Sequence, residues 1–223
     1  MTERPPHGST RPGGRTARTR AAVLTAALDE LDDAGIGSLT LDRLATRSGV
    51  HVSTIRRRWR TVEGVIGDLL AQQSTTIPTP DSGDLRQDLR ELAQAIADFH
   101  TTPRNRHLIE GVVVAAAHDP RIADIVRGAF TARTEHVTRL VHRAVARGEL
   151  TAEADATEVI AALSAPFYYR ILILRGTIDA RLVRTSAEAA YLAARGGAFN
   201  PLGHRPDEPG AAVDEIQVVR EFR

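Results

Sequence analysis

"LTLDRLATRSGVHVSTIRRRWR" (residues 39–60) predicts two short helices joined by a tight turn. Thr40 is placed to cap the first helix, since threonine side chains accept hydrogen bonds from the free N–H groups of a helix N-terminus. Gly49 suits the turn, because glycine adopts a positive φ without strain. The second helix is predicted from His51 to Arg58 and ends in a block of arginines. This arrangement is typical of a helix-turn-helix unit.

The second helix has the pattern expected of a helix that contacts DNA. Its N-terminal residues would meet base edges in the major groove, and they are His51, Val52, Ser53 and Thr54. The arginines that follow would grip the phosphate backbone, which supplies salt-dependent affinity. They are Arg56, Arg57, Arg58 and Arg60. Arg56 or Arg57 could also reach a guanine edge. The alternative interpretation of this block is a solvated charged face.

Three apolar residues of the stretch are predicted to be structural. Val50 and Ile55 would face the small core of the unit. Trp59 is the only tryptophan in the chain, and it would close the end of the second helix against the first and fourth helices. We therefore expect Trp59 to position the helix rather than to contact DNA.

The positive charge of the chain is concentrated at its N-terminal end. Residues 1–60 carry 11 arginines against 6 acidic residues, whereas residues 61–223 carry 18 against 22. The overall formal charge of +1 therefore hides a basic N-terminal part and a slightly acidic remainder. This asymmetry indicates that the first part binds a polyanion and that the rest has a separate role.

The composition excludes several classes of protein. The absence of cysteine excludes disulfides, thiolate nucleophiles and zinc sites built on cysteine, and it fits a cytoplasmic protein. No uninterrupted apolar run of membrane-spanning length is present, and the polar N-terminus does not resemble a secretory signal, so we expect no contact with a membrane. His107 and Glu110 have a spacing that could share a metal ion, but no third ligand is evident. We therefore predict neither a metal site nor a cofactor.

Apolar residues at helical spacing predict an all-α protein of about nine helices, without a strand. One long helix is predicted from Pro120 to Gly148, and Pro166 is predicted to kink the penultimate helix. Four regions follow from the pattern: a disordered arm (1–14), the helix-turn-helix domain (15–62), a regulatory domain (63–197) and a mostly irregular tail (198–223).

The stretch "AALDELDDAGIGSLTLDRLATRSGVHVSTIRRRWRTVEGVI" resembles the DNA-binding domain of the TetR/AcrR family of transcriptional regulators. The matching elements are "AG" followed by "LT", then "LA..SGV" across the turn and "STI..R" in the second helix. The later "AVARGEL" and "APFYYRILILRG" are similar to one branch of the C-terminal domains of this family. The resemblance implies an all-helical dimer whose C-terminal domain binds a small molecule that lowers the affinity for the operator.

The sequence departs from the family pattern in the second helix and just after it. Arg56 stands where a phosphate-binding tyrosine is usual, and Val62 stands where a lysine is common. His51 and Val52 occupy positions that usually hold small residues or lysine. The operator sequence therefore cannot be carried over. The full set predicted to contact DNA is Arg15, Thr40, Arg43, His51, Val52, Ser53, Thr54, Arg56, Arg57, Arg58, Arg60 and Thr61.

The C-terminal part has to provide a dimer surface and a ligand pocket. The last two helices, 155–175 and 179–195, resemble the dimer interface of the family, with Leu163, Phe167, Ile171, Leu174, Leu182 and Tyr191 as candidate contacts. Polar and aromatic residues within apolar helices are candidates for the pocket: Phe99, His107, Glu110, Phe130, Tyr168 and Tyr169, together with His100, His118, His136 and Arg170. The alternative for all of them is a place in the core or on the surface of one subunit.

We predict a ligand-responsive repressor that binds a palindromic operator as a homodimer and is released by a small-molecule effector. One alternative is a constitutive DNA-binding protein whose C-terminal half only dimerises. A helical enzyme is the other alternative, but the sequence contains no glycine-rich phosphate loop and no nucleophile elbow.

Overall fold

The computed structural model describes residues 13–201. Within this range the chain forms ten α-helices and no strand, which confirms the all-α prediction. The helices are α1 (Gly13–Ala34), α2 (Leu41–Ser48), α3 (Val52–Trp59), α4 (Val62–Ser74), α5 (Leu85–Thr101), α6 (Pro103–Ala116), α7 (Pro120–Val137), α8 (Arg139–Ala146), α9 (Ala156–Tyr168) and α10 (Ala180–Arg195). A 3-10 turn, Ile36–Ser38, follows α1, and a π-helical turn, Tyr169–Ile173, extends α9.

The local signals in the helix-turn-helix stretch act as predicted. The side chain of Thr40 accepts a hydrogen bond from the backbone N–H of Arg43 at 3.1 Å. Thr61 accepts one from Gly64 at 3.3 Å and so caps α4. Gly49, directly after α2, has a φ of 68°, in the left-handed region that glycine tolerates. The chain therefore turns from α2 to α3 where the sequence indicates.

The ends of the chain differ from the predicted boundaries. α1 begins at Gly13, so the last two residues of the predicted arm are helical, and residues 1–12 lie outside the described part. At the other end, the carbonyl oxygen of Phe199 accepts a hydrogen bond from the N–H of Asp155 at 2.9 Å. The ring of Phe199 packs against the C-terminal core. The predicted start of the tail at residue 198 is therefore too early, and residues 202–223 lie outside the described part.

Two of the predicted long helices are interrupted. The helix after Pro120 divides into α7 and α8 at Thr138, whose hydroxyl donates a hydrogen bond to the carbonyl oxygen of Glu135 at 2.8 Å. Threonine side chains that bond to the preceding turn compete with regular helix geometry. α9 continues through Pro166, and the irregularity follows it, where the N–H of Leu174 bonds to the carbonyl oxygen of Tyr169 at 3.1 Å. This i to i+5 bond widens the helix into a π-turn.

Two hydrophobic clusters form the core. The first combines α1 to α4 with Phe99 and the middle of α6, and it includes the fully buried Ile55 and the nearly buried Trp59. The second combines α5, α8, α9 and α10. The buried residues of α4 belong to the first cluster, among them Val65 and Leu69. α4 is therefore packed as part of the same core as the helix-turn-helix unit.

One apolar segment differs from the expectation that the chain has no apolar run of membrane-spanning length. Within residues 13–201, Ala156–Ile173 is long and apolar enough to cross a membrane by length and composition, with a mean hydropathy of 1.2. Glu158 and Arg170 interrupt the apolar run, so the segment is not apparent as an uninterrupted stretch in the sequence. Only 33% of the segment is buried within this chain, on the face that carries Leu163 and Phe167. Part of its apolar surface is therefore left uncovered by the chain itself.

Asp68 on α4 connects three helices of the N-terminal core. Its carboxylate accepts a hydrogen bond from the indole N–H of Trp59 at 2.9 Å, at the end of α3. It also accepts two from the guanidinium of Arg20 on α1, at 3.0 and 2.6 Å. Burial raises the pKa of Asp68, but the hydrogen bonds from Arg20 and Trp59 outweigh it, so the pKa lies below its ordinary value. The ionised carboxylate therefore holds α1, α3 and α4 together.

Replacing Asp68 with alanine should lower the free energy of unfolding by about 2–3 kcal/mol, because charge-assisted hydrogen bonds are lost and the Trp59 N–H is left without its partner. Urea denaturation monitored by circular dichroism measures the change. Asp124→Ala is the control, since Asp124 forms an exposed ion pair with Arg127 and should matter far less. Equal effects of the two substitutions would contradict the role given to Asp68.

Candidate nucleic-acid interface and internal cavity

α3 presents a polar and basic surface that starts at His51. The Nδ1 atom of His51 accepts a hydrogen bond from the backbone N–H of Ser53 at 3.3 Å, which caps the helix, and lies 2.8 Å from the Ser53 hydroxyl. Both side chains are exposed, whereas Val52 and Thr54 are half-buried. The exposed residues of the first turn are therefore held in a fixed arrangement at the tip of α3.

The arginines of the block extend this surface. Arg56, Arg57, Arg58 and Arg60 are all exposed, and none of the ion pairs within residues 13–201 involves them. The guanidinium of Arg58 lies over the Trp59 ring, 5.1 Å from its centroid. A run of uncompensated positive charge on one exposed helix attracts a polyanion. The other predicted contacts, Arg15, Thr40 and Thr61, are also exposed.

Arg43 differs from the other arginines predicted to contact DNA. It forms an ion pair with Glu30, whose side chain is 3% exposed and which also pairs with Arg47 at 3.3 Å. Part of the charge of Arg43 is therefore balanced inside the protein. Sequence analysis missed Glu30 as a structural residue, although an acidic residue between the buried Leu28 and Leu31 is a signal that it has a basic partner.

A cavity of about 50 Å³ lies where α4, α5, α6, α7 and α9 converge. Its walls are Leu70, Gln73, Ser74, Ile77, Phe99, Ile109, Ala129, Phe130, Arg133 and Tyr168. The rings of Phe130 and Tyr168 meet edge to face with centroids 5.6 Å apart. A larger space of about 440 Å³ adjoins it, and Ser74, Ile77, Ala129 and Arg133 line both. The lining is apolar with a few polar groups, as in small-molecule sites.

The structure brings together three of the six residues predicted to line a pocket, namely Phe99, Phe130 and Tyr168. Tyr169 points outward and is more than half exposed, because neighbouring residues of a helix face different directions. The other two predicted residues, His107 and Glu110, do not line this cavity.

His107 and Glu110 have partners elsewhere. The His107 ring contacts Asp32 at 3.1 Å, and Glu110 pairs with Arg106 and Arg175, each at 2.9 Å. Both residues line a separate, open space of about 390 Å³ beside α1 and α6, together with Asp32 and Arg175. Within the described residues, no group of three metal-binding side chains lies close enough to hold an ion.

Arg133 is a cavity residue that was not among the predicted ligand contacts. Arg133 stands three positions after Phe130 in α7 and therefore shares a helix face with it. This spacing was the available signal. Burial lowers the pKa of Arg133. Burial also raises the pKa of Tyr168 to about 12, while the charge of Arg133 acts in the opposite direction. Both groups therefore stay in their ordinary ionisation states at neutral pH.

His100 packs against two residues of the cavity wall, Phe99 and Tyr168. It is 2% exposed, and its ring meets those of Phe99 and Tyr168 edge to face, each at a centroid distance of 5.2 Å. Burial, together with the charge of Arg106, lowers the pKa of His100 to about 4. His100 is therefore neutral at pH 7 and acts as an aromatic packing residue.

The predicted dimer contacts fall into two groups. Leu163, Phe167 and Ile171 are fully buried within this chain. They have no surface left for a partner, so they are core residues and the prediction that they form an interface is wrong. Leu182 and Tyr191 are half-buried, and Leu174 is more than half exposed. Ile173 and Leu192, which were not predicted, are also more than half exposed.

Comparison with known proteins connects these features to a family. The family model of the tetracyclin repressor-like C-terminal domain matches residues 79–190. The helix-turn-helix-type transcriptional regulator YdeS of Bacillus subtilis is 30% identical over 179 residues, covering 79% of this chain and 90% of YdeS. AqdR of Rhodococcus erythropolis, a regulator of the same type, is 32% identical over 165 residues, covering 73% of this chain and 78% of AqdR. This chain belongs to the TetR family.

Solved structures share the fold of this TetR-family protein. The TetR family transcription regulator SCO0332 superposes with a TM-score of 0.66 at 24% identity, covering 78% of this chain and 97% of the other. A TetR-family regulator from Syntrophomonas wolfei gives 0.67 at 15% identity, covering 82% and 97%. These structures show the shared fold, whereas the family match and the curated relatives, both helix-turn-helix-type transcriptional regulators, show that the chain is a DNA-binding transcriptional regulator.

Replacing Arg56 and Arg57 together with alanine should weaken binding to every DNA sequence, because two phosphate contacts are lost. The slope of log affinity against log salt concentration should become less steep by about 2. Fluorescence anisotropy at several salt concentrations measures both effects. The control carries Arg127→Ala and Arg139→Ala, which remove the same charge from exposed positions of α7 and α8. If both double variants bind alike, the α3 arginines do not contact phosphate.

Proposed function

We propose that this regulator is a homodimeric, cytoplasmic repressor that binds a palindromic operator and is released when a small molecule enters the internal cavity. The observation that carries the proposal is the position of α4. This helix forms one wall of the cavity with Leu70, Gln73 and Ser74. It also holds the end of α3 through the hydrogen bond between Asp68 and Trp59.

The size of the cavity supports a mechanism in which the ligand displaces its walls. A volume of about 50 Å³ accommodates only about four water molecules. A ligand can extend into the larger space beside this cavity, but a ring system that enters the inner cavity beside Tyr168 has to move α4, α7 or both. Movement of α4 carries Asp68 with it and changes the position of α3. A hundredfold loss of operator affinity requires a coupling free energy of only about 2.7 kcal/mol.

The distribution of polar groups supports operator binding by α3. The exposed His51 and Ser53 would read base edges from the tip of the helix, and the arginines that follow would bind phosphate. Arg15, Thr40 and Thr61, at the starts of α1, α2 and α4, would add backbone contacts. A dimer with twofold symmetry presents two such helices, and it therefore matches a palindrome whose half-sites are about one helical turn apart.

Uncovered apolar surface supports dimerisation through the last two helices. Tyr169, Ile173 and Leu174 follow α9 and are more than half exposed, as is Leu192 on α10. Tyr169 and Ile173 belong to the apolar segment that the chain itself covers only in part, and Leu174 directly follows it. Exposed apolar side chains in contiguous patches are typical of a surface that a partner covers. A second copy of this chain would bury them with matching patches of its own.

The double variant Leu174→Arg, Leu192→Arg should be monomeric, because a charge buried in an apolar interface has no partner. Sedimentation velocity gives the mass, and anisotropy on the operator gives the affinity, which should fall to the nonspecific level. Val114→Arg is the matched control, since Val114 is an equally exposed apolar residue on α6. A dimeric double variant would place the interface elsewhere.

Filling the cavity should abolish the response to effectors without preventing operator binding. Ala129 lines both cavities, and Ala129→Phe would occupy the space that a ligand needs. An operator can be selected from random DNA, and compounds that raise the melting temperature of the wild type can then be tested for release. Compounds that release the wild type should not release Ala129→Phe.

Ala123→Phe is the control for the effector experiment, because Ala123 lies on the same helix outside the cavity lining. Two results would contradict the effector site. The first is that Ala129→Phe is released as readily as the wild type. The second is that stabilising compounds never change operator affinity, which is the behaviour of a constitutive DNA-binding protein.

A further inference from the structure

Arg133 is a charged residue in the wall of an otherwise apolar cavity. It lies on α7 and lines both the inner cavity and the larger space beside it. Its side chain is half-buried. The hydrogen bond that it donates, to the carbonyl oxygen of Pro78, is long at 3.4 Å. Among the described residues, the guanidinium group of Arg133 therefore donates a single, long hydrogen bond.

Other arginines that are similarly withdrawn from water have carboxylate partners. Arg20 pairs with Asp68 at 2.6 Å, Arg106 with Glu110 at 2.9 Å and Arg143 with Asp81 at 2.9 Å. Within residues 13–201, no carboxylate lies within ion-pair distance of Arg133. A guanidinium that is partly desolvated and has no counter-charge is unfavourable. An anion that enters the cavity would relieve this cost.

Polar groups near Arg133 could complete the site for an oxyanion. Thr79 lines the larger space, and its Oγ1 atom is buried just behind that lining without a hydrogen-bond partner among the described residues. The Tyr168 hydroxyl takes part in none of the hydrogen bonds among the described residues. It lines the same cavity as Arg133, whose charge acts to lower the pKa of Tyr168. Both are hydroxyl groups that can donate to an oxygen. Beyond them the inner wall is apolar and aromatic, with Phe99 and Phe130.

We infer that the effector is an amphiphilic anion, with an oxyanion bound by Arg133 and an apolar ring system packed between Phe99, Phe130 and Tyr168. This inference rests on the proposed function, since it assigns a chemical class to the ligand of the same cavity. Arginine binds oxyanions through two parallel N–H bonds, which orient the ligand as well as attract it. The ring system supplies the volume that separates α4 from α7.

Two fluorescent probes with the same ring system test the inference. 1-Anilinonaphthalene-8-sulfonate carries a sulfonate, and N-phenyl-1-naphthylamine is the same skeleton without it. Titration of the full-length wild type should show that the sulfonate probe binds tighter by about tenfold or more, as expected for hydrogen bonds to charged groups. Equal affinities of the wild type for the two probes would overturn the inference.

Substitutions of Arg133 test whether this residue causes the tighter binding of the sulfonate probe. Arg133→Met should weaken the sulfonate probe by about tenfold or more and leave the neutral probe nearly unchanged, and Arg133→Lys should keep much of the sulfonate affinity. Arg127→Met is the control, since Arg127 is an exposed arginine on the same helix. Melting curves check the fold, and Arg133→Gln replaces Arg133→Met if that variant is unfolded. An unchanged sulfonate affinity in these variants would overturn the inference.

Ala129→Phe separates the failure of this inference from the failure of the proposed function. Both probes should lose affinity for that variant if they occupy the cavity. If both probes lose affinity for Ala129→Phe but bind Arg133→Met as tightly as the wild type, the cavity is still the ligand site and the effector is not an anion. If both probes bind Ala129→Phe as tightly as the wild type, they bind outside the cavity, and the anion site is overturned with them. The proposed function is then judged by the operator-release experiment alone.

Discussion

The arrangement of the DNA-binding unit depends on the carboxylate of Asp68. It accepts hydrogen bonds from Trp59 at the end of α3 and from Arg20 on α1, while its own backbone belongs to α4. A short helix of eight residues has little stability of its own, and the exposed face of α3 contributes no packing. Its orientation is therefore set by Ile55 and Trp59 on the buried face and by this one polar anchor.

Within the DNA-binding unit, ion pairs with carboxylates neutralise some of the arginines and leave others without a partner. Glu30 neutralises Arg43 and Arg47 on α2, and Asp68 neutralises Arg20. The arginines of α3 receive no such partner within the described residues and remain exposed. The acids buried in the unit therefore balance the arginines that hold the helices together. The arginines of α3 therefore keep their full positive charge on the face that is proposed to meet DNA.

The cavity and the DNA-binding unit are linked because they share α4. One face of this helix supplies Val65 and Leu69 to the N-terminal core. Its C-terminal half supplies Gln73 and Ser74 to the cavity wall. On the opposite wall, the end of α9 places Tyr168 inward, directly before the chain widens into the π-turn. The same segment directs Tyr169 and Ile173 outward. The proposed ligand site and the proposed dimer surface are therefore adjacent parts of one irregular helix.

Most of the helices, the caps at Thr40 and Thr61 and the turn at Gly49 could be predicted from the sequence, because they depend on residues close together in the chain. The sequence also determined the helix-turn-helix unit and its basic face. Packing between helices sets which apolar residues of α9 and its π-turn belong to the core, since Leu163 and Tyr169 both fit an apolar helix and differ in what packs against them. The same is true of the polar residues: Glu110 is bound by two arginines, whereas Arg133 faces a cavity without a carboxylate. Such pairings join residues from distant helices, and no local pattern in the sequence specifies them.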